Sequence, residues 1–245
     1  MSGFQNELGQ FFDFGGYNFK GNVFEEGVIS LTKGKMAVVG NAKIENLEIS
    51  KDGRKATEPS AVMNFDLGYD KASKTAMIDE FTFKGQAGSL GIFDSTFAMA
   101  DDKTSAKIKI NADIDLDRMM PFAVMAGAIP PEFGFAGKLK SDVDITVEDS
   151  LVNLRTTGTH LNKPNFTHKG DVLFKQDSVE LDFIGGLNID SKSIEIQSLR
   201  LISPQIKITK GYLTRQQSNN IEKIDGRFEY DVNLVAVSEI IDPFL

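Results

Sequence analysis

Apolar and polar residues alternate along most of this chain. From Lys107 to Leu116 every even position is apolar and every odd position is charged or amide-bearing, the period-two pattern of a strand with one buried face and one wet face. At roughly 3.3 Å per residue such a strand is about 33 Å long, where five or six residues are usual. The pattern returns in Lys138–Val147, with Leu139, Val143, Ile145 and Val147 on one face, and in Gly226–Leu234, with Phe228, Tyr230, Val232 and Leu234 together. Shorter versions are Met63/Phe65/Leu67/Tyr69, Val179/Leu181/Phe183, Ile194/Ile196 and Ile206/Ile208. The chain is therefore expected to be mainly β.

Turn sequences separate the strands at hairpin spacing: Thr32–Lys35, Lys51–Arg54, Asp70–Lys74, Ala100–Lys103, Gln176–Ser178 and Asp190–Lys192. Short connections predict neighbouring antiparallel strands in a meander. Near 79–80 and 197–198 the apolar phase slips by one residue, from Ile78 to Phe81 and from Ile196 to Leu199, which predicts a bulge that bends the sheet. The two slips lie 118 positions apart, as do Asp113–Leu116 and Asp231–Leu234, Phe65 and Phe183, and Gly68 and Gly186. A tandem structural repeat is the physical reading.

One stretch breaks the alternation. Residues 117–133 are rich in Met and Ala and carry Pro121, Pro130 and Pro131; they predict a short apolar helix with Pro121 near its first turn, ended by the proline pair. The expected organisation is a first β unit over 1–116, a helical connector over 117–133, a second β unit over 134–237, and a further connector or chain end over 238–245.

Composition narrows the function. A net charge of −8 opposes nucleic-acid binding, which needs clustered Lys and Arg. Nineteen Phe with no Trp and four Tyr supply apolar bulk and few polar-tipped rings. Without cysteine there is no disulfide framework, thiolate metal site or Cys nucleophile. No apolar run reaches the length of about 18 residues that a spanning helix needs. Residues 1–7 lack the basic end and apolar stretch of a secretory signal, so the chain is expected to be either cytosolic or a mature piece of a longer precursor, and we favour the second.

Candidate chemistry is sparse. Asp113, Asp115 and Asp117 resemble the opening of a calcium loop, but Arg118 and Val124 stand where that loop needs Gly and Glu. His160 and His168 have no other His to join them, and a metal site there would need carboxylates as its remaining ligands. Ala87–Gly91 has Ala in place of the first glycine of a nucleophile elbow. Asn165–Thr167 is a formal glycosylation sequon. No carboxylate pair is set apart for acid–base work, so no catalytic residue, metal or cofactor is expected.

The apolar stripe remains. Alternation alone suits a β-sandwich or closed barrel with a packed core, while long strands and paired bulges suit an open, curved sheet with an apolar hollow. The Asp113–Leu116 strand running into a Pro-containing apolar helix, Phe135–Leu139 opening a new strand series, and the amphipathic hairpins from Ser150 to Thr214 together resemble the AsmA-like and TamB-type proteins of the Gram-negative envelope; the YdgA-like proteins are a related family. The likeness lies in pattern over residues 27–245. It implies a taco-shaped groove of tandem repeats in the periplasm, carried by a parent chain anchored in the inner membrane, that binds phospholipid or another acyl lipid without catalysis. The residues expected to line it are Ile108, Ile110, Ile114, Leu116, Leu139, Val143, Ile145, Phe183, Ile194, Ile196, Phe228, Tyr230 and Val232. The competing expectation is a structural or protein-interaction β domain with a closed core that supports outer-membrane assembly through other envelope proteins.

Overall fold

A computed structural model describes residues 16–100, 103–218 and 221–233. They form thirteen strands: β1 (Asn18–Thr32), β2 (Lys35–Lys51), β3 (Arg54–Asp70), β4 (Thr75–Gly85), β5 (Gly88–Ala100), β6 (Lys103–Asp115), β7 (Phe133–Glu148), β8 (Leu151–His168), β9 (Asp171–Lys175), β10 (Ser178–Asn188), β11 (Ser193–Ile202), β12 (Ile206–Ser218) and β13 (Ile221–Val232). All belong to one antiparallel sheet in chain order, with short β9 paired only to β8 so that β10 lies beside β8. The sheet is an open meander and does not close between β1 and β13. The sandwich and the closed barrel that alternation equally allowed are not formed.

The hairpins follow the turn chemistry. Lys33-Gly34 and Asp52-Gly53 all have positive φ between the closing pairs Thr32/Lys35 and Lys51/Arg54, the two-residue turn whose twist matches that of the strands. The Asp70–Thr75 loop is held by the Asp70 carboxylate, which accepts from the amides of Ala72 (2.9 Å) and Ser73 (3.4 Å). These hydrogen bonds, with the nearby Lys35 ammonium, hold the Asp70 carboxyl below its ordinary range. Residues 101–102 of the expected turn at Ala100–Lys103 lie outside the described residues.

Repetition is structural as well as sequential. β4, β5 and β6 begin at Thr75, Gly88 and Lys103, and β11, β12 and β13 begin 118 residues later at Ser193, Ile206 and Ile221. The β3–β4 ladder shifts at Asp66/Leu67, skipping Asp79, and the β10–β11 ladder shifts at Ile184/Gly185, skipping Gln197. The bulges thus fall where the apolar phase slips. The sheet runs through both units without a break, because β6 pairs with β7 along its length from Ser105/Glu148 to Asp115/Lys138.

Between β6 and β7 a single helix, α1 (Leu116–Met125), stands among the described residues. It starts one residue before the expected connector, because Asp115 serves as its N-cap and accepts from the Arg118 amide. Pro121 therefore falls in the second turn and removes one backbone hydrogen bond there. The helix also ends before the proline pair. Gly127, at φ +75°, donates to the Val124 carbonyl while the Ala128 amide donates to Ala123, a Schellman closure that needs glycine at that position. Residues 238–245, the other expected connector, lie outside the described residues.

The helix rests where the β2–β3 hairpin overhangs β4. The β3–β4 ladder starts at Ala61/Gly85, leaving residues 54–60 of β3 to meet α1 and the turn at 86–87. Glu58, 2 % exposed, accepts there from the amides of Gln86 (3.0 Å) and Ala87 (3.1 Å). Arg118 donates to Gln86 Oε1 at 2.6 Å, the Asp117 carboxylate accepts from the Gly137 amide at 3.1 Å, and the Tyr17 hydroxyl donates to the Met125 carbonyl at 3.0 Å.

Little of the apolar content is fully buried. The buried hydrophobic residues are mostly Ala, with Ile44, Met125 and Val179. The chain exposes 15989 Å², whereas a compact monomer of this mass would expose about 10,800 Å². Among the described residues no second layer covers the sheet, and this contributes to the exposed area.

Candidate apolar binding face

Strand register turns the separate alternations into one surface. Paired positions carry side chains on the same side of a sheet, so a single row crosses β2 to β11 through Gly40, Phe65, Phe81, Ile92, Ile110, Val143, Thr156, Phe183 and Leu199. At about 4.8 Å per strand the row is roughly 40 Å long. A second row runs through Ile108, Ile145, Leu154, Gly185, Ile196 and Leu213. A third joins Ala61, Gly85, Gly88, Ile114, Leu139, Leu161 and Val179. Among the described residues no other strand or helix packs across the middle of this face.

Twelve of the thirteen expected lining residues fall on strands of this face. Ile108, Ile110 and Ile114 of β6 meet Ile145, Val143 and Leu139 of β7. Phe183 stands on β10, and Ile194 and Ile196 on β11. Phe228, Tyr230 and Val232 belong to edge strand β13, opposite Gly211, Ile208 and Ile206. Leu116 is the exception: it was expected to end a strand, but the Asp115 cap turns the backbone into α1 at that residue, so it does not extend the β6 row. The strand part of Lys107–Leu116 stops at Asp115.

Three features of the face were not read from the sequence. Rings lie over neighbouring glycines: a Cβ on Gly185 would come within 2.6 Å of the Phe183 ring, and one on Gly40 within 2.9 Å of the Phe65 ring. Glycine here leaves room for an aromatic neighbour, a use that alternation does not signal. Hydroxyls also sit among the apolar groups, with buried Ser141 and Thr159 sharing a 2.6 Å hydrogen bond and half-buried Thr156 Oγ1 accepting from the Phe183 amide. Each is satisfied within the protein, so the surface they present stays effectively apolar. Finally, β1 extends the face at its far edge with Val23, Ile29 and Leu31, all exposed.

The opposite face is mainly polar, with exposed Phe24, Val28, Val39 and Val62 toward the β1–β3 end. Asn111 donates to Asp142 (2.6 Å), Lys109 pairs with Asp94 (3.2 Å), and Arg200 bridges Glu180 (2.9 Å) and Asp182 (3.1 Å). These two carboxylates, Glu180 foremost, raise the Arg200 pKa further above its already high range. Lys55 and Lys20 flank Glu48 and hold its carboxyl below the ordinary range, Lys55 foremost. Such exposed pairs add little stability, but they keep this side wetted. A depression of about 590 Å³ lies on it, framed by Lys107, Lys109, Asp144, Asn153, Arg155 and Gln197.

The other candidate groups are spread out. Asp115 and Asp117 cap and tether α1. His168 stacks on Phe133 at 4.8 Å, whereas His160 points to the polar side opposite Lys140 and Glu180. The Ala87–Gly91 segment turns into β5, with Gly88 at φ +126°. Asn165 lies inside β8, its side-chain oxygen buried. Among the described residues no three His, Cys, Asp or Glu groups converge as metal ligands, and no helix is long and apolar enough to cross a membrane. Compared with family models, with curated proteins and with solved structures, the chain matches none.

Proposed function

We propose that this chain is a lipid-binding and lipid-transfer module that holds acyl chains against its apolar face without catalysing a reaction. The observation that carries the reading is the set of apolar rows crossing the strands with no layer packed over them among the described residues. Water against such a surface is costly, and each acyl methylene removed from it gains about 0.8 kcal/mol, so a chain of about 16 carbons gains on the order of 12 kcal/mol before ordering costs. A floor that is apolar from strand to strand has no single deep trap, which favours sliding over fixed capture. Headgroups would stay in water beyond the strand ends and need no dedicated ligand.

Placement in the periplasm of a Gram-negative envelope is part of the same proposal, and rests on the resemblance to AsmA-like proteins in the strand–helix–strand passage from Asp113 to Leu139. The test is mass spectrometry of lipids extracted from the protein purified without detergent. Phospholipid or another acyl lipid in near-stoichiometric amount is the expected result; protein that is folded, concentrated and lipid-free speaks against the reading.

A further inference from the structure

We infer that the sheet continues from one copy of this chain to the next, β13 of one molecule adding to β1 of another in the register that β6 and β7 use inside the chain. The inference needs the sheet and its repeat only, and does not rest on lipid binding.

β13 occupies the place of β6. The pairs Gly88/Ile114 of β5–β6 and Ile206/Val232 of β12–β13 are related by the 118-residue step on both strands, and β5 and β12 each carry a one-residue bulge against their partner. β1 likewise occupies the place of β7. Each contains a glycine of positive φ at a ladder shift, Gly21 (+130°) and Gly137 (+109°), where a Cβ would strike carbonyls of the next strand; that strand has its own left-handed residue, Asn46 or Lys163. Inside the chain the β6-like edge pairs with the β7-like edge. Among the described residues no strand covers the outer edge of β13 from Lys223 to Val232 or of β1 from Val23 to Thr32, and neither stretch contains proline, so nothing in these stretches blocks the addition of a strand.

Carrying the internal register over makes a specific prediction for side chains. The pairs Ile114/Leu139, Ile110/Val143, Ile108/Ile145 and Ala106/Val147 become Val232/Val23, Phe228/Gly27, Gly226/Ile29 and Ile224/Leu31. Every member stands on the apolar face. Large meets small at two of these pairs, with Phe228 across from Gly27 and Ile29 across from Gly226. Leu31, Ile29 and Ile224 are 76, 69 and 61 % exposed in the single molecule, and the junction would cover them as the interior junctions cover their counterparts. A ten-residue antiparallel pairing forms roughly ten backbone hydrogen bonds. Head-to-tail addition leaves the same two edges free at each end, so assembly is open. Two contacts oppose it: Glu229 falls across from Glu26 on the polar face, and the interior pair Ala112/Ser141 becomes Tyr230/Glu25, which places a carboxylate on the apolar face.

Because the chain has no cysteine, the register can be read by cross-linking. Oxidation of the Leu31→Cys/Ile224→Cys variant should give a ladder of dimers, trimers and higher species, and mixed single variants should give the L31C–I224C heterodimer in excess of either homodimer. The register control Leu31→Cys/Phe228→Cys should give none. In sedimentation, the wild-type mass should rise with concentration, and Glu26→Lys should lower the concentration of half-assembly by roughly two- to five-fold, as expected for an exposed ion pair. A wild type that stays monomeric at all concentrations with no L31C/I224C ladder overturns the inference, and so does a ladder equally strong in the register control or a predominance of L31C homodimers.

Discussion

At the scale of single residues, the hydroxyls within the apolar face matter more than their number suggests. Ser141 and Thr159 are both buried and bonded to one another at 2.6 Å. Removing one partner strands the other, which costs about 1–3 kcal/mol, whereas replacing both by apolar groups of similar shape is nearly neutral. Ser141→Ala alone should therefore lower unfolding free energy by about 1–2 kcal/mol in urea denaturation, and Ser141→Ala/Thr159→Val should recover most of it. Additive losses would show that the two hydroxyls act independently. Neither residue stood out in the sequence, where Ser141 interrupts the alternation of Lys138–Val147 and reads as a defect in the stripe. Leu116 misled in the opposite direction, because leucine fits the even phase of the β6 strand and the first turn of a helix equally well.

Among the elements, what was legible depended on whether a feature disturbs the apolar phase. The bulges skipping Asp79 and Gln197 displace large side chains by one position, so the slip shows in the sequence. Those at Gly21 and Gly137 involve a small residue and leave no such mark. Pro164 falls where a ladder changes hands, between Asn162, the last β8 residue paired with β10, and Asn165, the first paired with β9. Glu58 was equally hidden, since it reads as one more wet carboxylate between Lys55 and Ser60. Its burial follows from the overhang of β3, where it ties the strand to the turn at 86–87 in place of a further ladder. Glu58→Ala would leave the buried Ala87 amide and the part-buried Gln86 amide without their acceptor and should cost about 2 kcal/mol, at 1–3 kcal/mol per buried unsatisfied group. Equilibrium denaturation measures it, and a loss below about 1 kcal/mol would mean that water replaces the carboxylate.

For the whole molecule, chain-order pairing and a fixed repeat explain why so much of the fold could be read in advance. Apart from β9 and β10, each strand meets its sequence neighbour, so local alternation and turn spacing nearly determine the topology. Openness could not be read, because alternation is the same whether a second layer covers the apolar face or nothing does. That distinction depends on how far the strands bend and on what each edge meets, and it carries the functional reading. On the proposed function, the uncovered face and not a polar site retains lipid. The most direct test is native mass spectrometry of the Ile110→Glu/Ile145→Glu variant beside the wild type, with circular dichroism to verify unchanged β content. Acyl lipid should be bound to the wild type and lost from the folded variant; equal lipid occupancy in both would rule out retention by this face.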